Sequence, residues 1–473
     1  MSMTFFFETY GCQMNQAESA SVERLLFELG WEPAPEAERA DLVILNTCSV
    51  RITAETRVAG RIAHFAALKR QRSFTLLVMG CMAERLHEEF RAKFPAVDHV
   101  VGMFERNRFS DIFRSVATGG TYEAVDETPV NSYWFAPSSY ESGAFQSFVP
   151  IMNGCNNFCT YCIVPYVRGR EVSRGLPEIL AEFDDLADRG VREVTLLGQN
   201  VNSYRWTDPE SGIIVDFPGL LERIARRVEQ KGKIRWIRFM SSHPKDFSDA
   251  LIDVIARERV LCRFIHLPVQ HGSNRILADM NRKYAREDYL ALVDRIRARI
   301  PDATLSTDIL VGFPGETEAD LQDTLNLIET VAFDAAYMYH YNPREGTAAF
   351  SMPNRVPDAV KKERLDRVIK LQHKISTERM RSRVGCRLIV LVESFSRNDP
   401  DELFGHTELG EMVVFAGKQD SALFGHFVLA ELTGLRGRTF RAKIIKTELE
   451  ANDALETDTL SGDSARGDLL YRV

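Results

Sequence analysis

The amino-acid sequence predicts an α/β protein in three parts: an N-terminal α/β domain on a parallel sheet, a central open (β/α)6 partial TIM barrel, and a small antiparallel β-barrel near the C-terminal end. Three observations predict this. Over residues 1–127, and again from 148 to about 345, strand-like apolar runs alternate with helical patterns, as parallel sheets covered by helices require. Six such units follow one another in the second block. From about 384 to 447 the helical period gives way to short alternating runs punctuated by glycines at 405, 410, 417, 425, 434 and 437. At 473 residues, with 45% hydrophobic and 27% charged residues, the chain is long enough for two to three globular domains.

In the first block, residues 5–9 read as a strand. Asn15 stands as a helix cap, with Glu18 three residues on. The helix keeps Val22, Leu25, Leu26 and Leu29 on one side and stops at Gly30. Strands at 41–45, 74–79 and 99–102 follow, with a helix over 54–69. Cys12, Cys48 and Cys81 each follow one of the first three strands. Parallel strands end on one edge, about 4.8 Å apart, so three cysteines far apart in sequence meet in one small region. Free cysteine often serves as a small hydrophobe. Three at three strand tips, in Tyr10-Gly11-Cys12-Gln13, Asn46-Thr47-Cys48-Ser49 and Gly80-Cys81-Met82, point instead to a metal centre with three thiolates and one open position. A structural zinc ion is the other reading.

Residues 128–147, with Pro129, Pro137, Gly143 and five serines, form a linker. Barrel strands are expected at 148–153, 191–198, 234–240, 264–269, 304–311 and 334–341, with helices such as 176–189 and 288–299 between them. Four strand tips carry Gly198-Gln199-Asn200-Val201-Asn202, Ser241-Ser242-His243-Pro244, Gln270-His271-Gly272-Ser273-Asn274 and Gly312-Phe313-Pro314-Gly315-Glu316. Any one of these could be an ordinary turn. Four on one edge favour a pocket for a polar ligand. The first tip carries Cys155, Cys159 and Cys162, spaced C-x3-C-x2-C. Three such thiolates can hold three irons of a [4Fe–4S] cube, and the next cysteine is the distant Cys262. One iron is thereby left open to a small molecule. Zinc sites repeat C-x2-C pairs or add H-x3–5-H, and neither occurs. A disulfide framework does not suit a chain without a secretion signal.

Residues 358–383 read as a basic amphipathic helix, with Leu365, Ile369, Gln372 and Ile375 on one side. Nine cations (Lys361, Lys362, Arg364, Arg367, Lys370, Lys374, Arg379, Arg381 and Arg383) face four acids. A phosphate-facing surface and a solvated helix face are equally good readings. Residues 448–473, with seven acids and two arginines, read as a mobile acidic tail.

With Tyr161 as the aromatic, C-x3-C-x-aromatic-C resembles the signature of the radical S-adenosylmethionine (SAM) enzymes. The longer run from Ile163 through Val167-Arg168-Gly169-Arg170-Glu171 resembles one branch, the methylthiotransferases. Gly11-Cys12-Gln13-Met14-Asn15 and Asn46-Thr47-Cys48-Ser49-Val50-Arg51 are similar to that family's auxiliary-cluster motifs. Tyr10–Asn15 and Leu197-Gly198-Gln199-Asn200-Val201-Asn202-Ser203-Tyr204 look most like its MiaB-type branch. The resemblance covers nearly the whole chain up to the tail. It implies two [4Fe–4S] clusters, one on Cys12, Cys48 and Cys81, the other on the catalytic cysteines Cys155, Cys159 and Cys162, where the open iron chelates the amino and carboxylate groups of SAM. It assigns further SAM contacts to Gly198, Gln199, Asn200, Ser241, His243, Asp308, Gly312, Phe313 and Pro314. His271 stands where much of the family has serine. Residues 384–447 resemble a TRAM domain, a nucleic-acid-binding module, with Arg436, Arg438, Arg441 and Lys443 as candidates for backbone contacts.

The implied activity is methylthiolation of C2 of an isopentenylated adenosine beside the tRNA anticodon. In the family, one SAM gives a methyl group to sulfur at the auxiliary centre and a second supplies a 5′-deoxyadenosyl radical. The implied partners are the tRNA anticodon stem-loop, an electron-donor protein and a sulfur donor that the sequence does not identify. The alternatives are a sister enzyme acting on threonylcarbamoyl-adenosine or on a ribosomal-protein aspartate, and, from another class, a non-catalytic RNA-binding protein with structural metal. Two open three-cysteine sites speak against the last. The net charge of −8 excludes a broadly basic surface but leaves room for a local patch. No apolar run suits a membrane span and the first residues lack signal-peptide features, so a cytoplasmic protein is expected. No Ser/His/Asp or paired-carboxylate arrangement suggests hydrolysis.

Overall fold

The computed structural model describes residues 2–49, 52–119, 135, 144–415 and 421–447. The expected linker lies mostly outside these residues and the acidic tail wholly so, as do Val50 and Arg51 of the second cysteine motif.

The first block forms a fully parallel five-stranded sheet. Its spatial order is Glu32–Pro33, Thr4–Thr9, Leu42–Thr47, Thr75–Gly80 and His99–Val101. The edge strand Glu32–Pro33 is too short to show a period in the sequence. Leu42–Thr47 is buried along its length, as the middle of a parallel sheet must be. Val43 and Leu45 pack with Val58, Ile62 and Phe65 of the helix Ile52–Leu68, and Leu42 and Ile44 with Val22 and Leu26 of the helix Gln13–Glu28. That helix begins earlier than expected: its cap is Cys12, and Asn15 lies one turn inside.

The second block is a six-stranded open barrel of two three-stranded parallel sheets. One holds Gln146–Pro150, Glu193–Leu197 and Trp236–Phe239, the other Phe264–His266, Thr304–Val311 and Ala335–His340. A bridge between Ile237 and Leu261 links them. Strand residues alternate faces. Val194, Leu196, Ile237, Phe239, Ile309 and Val311 join the helices in one large core, so Glu193, Thr195, Trp236 and Arg238 point inward. Two neighbours fill that inward side. Met14 and Ala17 of the first helix pack on Phe148 and Leu197. From the C-terminal barrel, His406 Nε2 meets Glu193 at 2.7 Å, Phe427 lies edge-on to Trp236, and Arg238 donates to the carbonyls of Thr407 (3.0 Å) and Glu408.

The C-terminal barrel is closed by a parallel pairing of Met412–Phe415 with Thr439–Lys446, its other pairs being antiparallel. Its strand Leu403–Thr407, with a glycine in the middle, has no counterpart among the predicted runs, yet it carries the docking residue His406.

Part of the charge of the long helix Asp358–Ser382 serves packing. Six of the nine cations are paired: Arg364 with Glu316 (2.9 Å), Arg367 with Glu318 (2.7 Å), Arg379 with Asp334 (2.6 Å), Arg383 with Asp334 (2.6 Å) and Glu411, Lys361 with Asp358 (3.0 Å) and Lys370 with Asp366 (2.6 Å). Most of these acids lie outside the helix, so these pairs clamp it to its neighbours, while Lys362, Lys374 and Arg381 are exposed. Among the described residues no helix is long and apolar enough to cross a membrane.

Candidate active site and metal centres

The strand tips of the first sheet bring Cys12, Cys48 and Cys81 together. Asn15 ties two of their loops. Its Oδ1 accepts from the Cys12 amide (3.4 Å) and thiol (3.2 Å), while its Nδ2 donates to Asn46 Oδ1 and to the Thr47 carbonyl, both at 2.9 Å. Gly80, at φ 96°, lets the third strand pass the second so closely that a side chain there would strike the Thr47 carbonyl. Cys81 follows directly. Burial pushes its thiol up to about 11. Arg168 opposes this, while Glu18, Cys48 and Cys12 add to it, so the three sulfurs share one electrostatic neighbourhood.

The second triad sits on one loop pinned from several sides. Gly154, at φ 83°, lies against the Arg170 carbonyl where no side chain fits. The Cys155 amide donates to the Gly169 carbonyl (3.1 Å), and the Gly154 amide to Gln199 Oε1 (2.6 Å). From the far side, Thr160 N donates to the Met280 carbonyl (3.1 Å) and Asn281 Nδ2 to the Phe158 carbonyl (2.9 Å). Buried Arg282 donates to Cys159 Sγ at 3.4 Å and to the Pro268 carbonyl at 2.7 Å. Burial, with Cys159 beside it, pushes the Cys162 thiol up to about 12, and burial also raises Cys155. Among the described residues no group of three or more His, Cys, Asp or Glu is arranged to hold a single ion. A cube asks for another arrangement, because each thiolate takes its own iron.

Around this loop lie polar atoms that are buried without a partner: Asn200 Oδ1, Ser242 Oγ, His243 Nε2 and Tyr341 Oη. Such atoms are rare, and all four follow strand C-termini on one edge. Burial, with Arg282 and Lys245 nearby, drives His243 down to about 2, so its ring is neutral. Its Nδ1 accepts from the Lys245 amide (3.3 Å), which places the proton on the unpartnered Nε2. Ser242 lies in one of the four expected polar strand tips but was not assigned a SAM contact, and Tyr341 was not among the expected residues, because an isolated tyrosine gives no spacing signal. These atoms fit a polar ligand of the SAM type.

The other expected contacts have structural work. Gly198 packs on Met152, Gln199 holds Gly154, and the Ser241 carbonyl accepts from Val201 N. The Gly312 and Phe313 amides donate to Glu316 Oε2 at 2.6 and 3.3 Å. Phe313 is buried with Leu310 and Tyr341 beneath Tyr161, and Pro314 is buried too. Asp308 lies 3.7 Å from His266 Nε2. His271 is fully buried and anchors Glu316 (3.2 Å).

One carboxylate joins the two centres. Glu18, on the first helix, meets Arg106 at 2.9 Å and Arg168, from the run after the cysteine loop, at 2.8 Å, and all three are buried. Burial disfavours its charge, but the two arginines prevail and hold it down to about 2.

An open six-stranded parallel barrel with three cysteines on its first tip, ringed by unsatisfied polar atoms, is the scaffold of the radical SAM class. Residues 149–328 match the Radical SAM superfamily, and residues 4–102 match the Uncharacterized protein family UPF0004. The radical SAM methyltransferase TsrM from Kitasatospora setae has a similar fold, with a TM-score of 0.55 over 74% of each chain at 15% identity. The tRNA-2-methylthio-N(6)-dimethylallyladenosine synthase of Treponema denticola is 58% identical over 93% of this chain and all of its own length. That of Moorella thermoacetica is 45% identical over 93% of this chain and 97% of its own. The chain belongs to the family of these synthases, the MiaB-type radical SAM methylthiotransferases.

Proposed function

We propose that the protein methylthiolates C2 of N6-isopentenyladenosine beside the anticodon of a tRNA, with two [4Fe–4S] clusters and SAM as cofactors. The observation that carries this reading is the pair of separate three-cysteine sites joined through Glu18. Cys155, Cys159 and Cys162 would hold the cluster whose open iron takes SAM, and Cys12, Cys48 and Cys81 the auxiliary one. When bound, these groups supply the methyl group, the sulfur site and the radical needed at an aromatic C–H that resists acid–base chemistry. The chain's own residues do the rest. Arg282 offsets negative charge beside Cys159. His243, neutral across the physiological range, offers an Nε2–H, and Asn200, Ser242 and Tyr341 offer further hydrogen bonds to SAM. On the hairpin of Phe427–Arg436 and Thr439–Lys446, the exposed Arg436, Arg438 and Lys443 would meet RNA phosphates. Arg441 is paired with Glu402 at 3.2 Å. An electron-donor protein of the cytoplasm completes the system.

The test is mass analysis of an anticodon stem-loop RNA carrying isopentenyladenosine, after incubation with reconstituted protein, SAM and reductant. The expected product carries a methylthio group on C2. Methylthiolation of a threonylcarbamoyl-adenosine loop or of a ribosomal-protein aspartate instead would overturn the substrate assignment.

A further inference from the structure

The barrel interior is unevenly occupied. The inward residues of its second and third strands, Glu193, Thr195, Leu197, Trp236 and Arg238, are all buried, covered by the first helix and by the C-terminal barrel. On the last three strands the inward residues His266, Ser306 and Leu310 are buried as well, and the exposed ones stand on the final, edge strand. In the register of their pairing, His266 stands beside Ser306, Asp308 beside Tyr337, and Leu310 beside Tyr339. Ile309, Val311 and Met338, at the alternate positions, pack with the helices, so this set faces inward. Contacts agree: His266 Nδ1 lies 3.0 Å from Ser306 Oγ, and its ring meets that of Tyr337 edge-on at 5.7 Å. Yet Tyr337 is 47% and Tyr339 40% exposed, on the edge strand of the barrel.

Two aromatic rings, two residues apart on one inward face, are thus partly open to solvent on the barrel's edge strand. The wall they stand on leads to the chemistry. Leu310, paired with Tyr339, belongs to the cluster against which Tyr161 of the cysteine loop packs. Beside Tyr337 lie the carboxylate of Asp308 and the imidazole of His266, 3.7 Å apart. These are groups that can read the polar edge of a ring stacked there. A base chemically altered on its C–H edge must leave its own stack, and unstacked RNA bases are taken up on aromatic side chains.

We propose that Tyr337 and Tyr339 form the platform on which an unpaired purine base of the substrate RNA stacks inside the barrel, with His266 and Asp308 at its polar edge. This rests on the reading of RNA as substrate. It adds the residues that hold the base, which phosphate contacts on the C-terminal hairpin cannot do.

The experiment measures binding by fluorescence anisotropy on the reconstituted full chain. Two labelled anticodon stem-loops are used, one with isopentenyladenosine at the modified position and one abasic there. The unaltered protein should bind the first about tenfold more tightly, in line with stacking on aromatic side chains. Tyr337→Ala and Tyr339→Ala should lose most of that preference while binding the abasic loop as before. Tyr337→Phe and Tyr339→Phe should keep it. Iron per chain reports whether each variant is folded and loaded. Equal affinity of the unaltered protein for the two loops would overturn the proposal without any variant being needed. So would alanine variants that weaken both loops alike or neither. Absence of methylthiolation by a protein that still prefers the base-containing loop would instead count against the proposed reaction and leave the platform standing.

Discussion

The two cysteine triads are assembled by opposite routes. Cys155, Cys159 and Cys162 lie on one loop, and their placement depends on local backbone: Gly154 against the Arg170 carbonyl, and the Cys155 amide on Gly169. Cys12, Cys48 and Cys81 come from three strand tips, and their placement depends on sheet register and on Asn15 between two of the loops. A contiguous site has its spacing from its own segment and is then pinned by distant loops, whereas a dispersed one needs the whole sheet formed first.

The sharpest way to break the comparison is to empty each centre in turn. The unaltered protein should hold about eight irons after anaerobic reconstitution, two clusters of four. The Cys155/Cys159/Cys162→Ala variant should keep about half and lose SAM cleavage. The Cys12/Cys48/Cys81→Ala variant should also keep about half, but retain SAM cleavage and lose methylthiolation. Loss of all iron in the first variant would show that the dispersed triad binds nothing by itself.

Next comes the residue that the two centres share. Glu18→Gln removes the carboxylate between two buried arginines, which should cost about 3–5 kcal/mol in chemical denaturation. The same carboxylate predicts a pH dependence. Its folded pKa, about 2, lies below its ordinary value of 4.5, so its contribution is complete above the ordinary value and is lost as pH falls from there toward 2. The span is worth about 3 kcal/mol, and the variant should show a flatter stability profile across that window.

Smaller effects should separate the centres. Arg282→Leu removes charge-assisted bonds worth about 2 kcal/mol. It should shift the reduction potential of the loop cluster downward, measured with the auxiliary cysteines replaced, because a positive charge beside Cys159 favours the reduced form. Asn15→Ala should cost about 1–2 kcal/mol and speed iron loss from the dispersed centre alone, followed by absorbance under a chelator.

Much of this was legible in the sequence because its signals are local. Cysteine spacing showed the loop site, and strand periodicity placed Cys12, Cys48 and Cys81 at tips of one sheet. What was not legible depends on partners far away in sequence. Arg282 is 123 residues from Cys159. The charge of the helix Asp358–Ser382 looked available for phosphate because Glu316, Asp334 and Glu411 could not be seen beside it. Asn15 read as a cap because asparagine with Glu18 three residues on matches a capping box, whereas the structure caps the helix at Cys12 and uses Asn15 to reach the neighbouring strand tip. Ser242 was visible only as part of a polar strand tip and Tyr341 carries no pattern at all; their unpartnered oxygens exist only once the loops have closed.

Glu18 and Arg168 are separated by 150 positions. At roughly 5–20 residues per second of synthesis, the first helix waits on the order of ten seconds or more on the ribosome before its second arginine emerges. Leu197, which covers Met14 and Ala17, comes later still. During that interval Glu18 has only Arg106 as its arginine partner, and Met14 and Ala17 lack the cover of Leu197. The N-terminal sheet is therefore completed only when the barrel that follows it has been made.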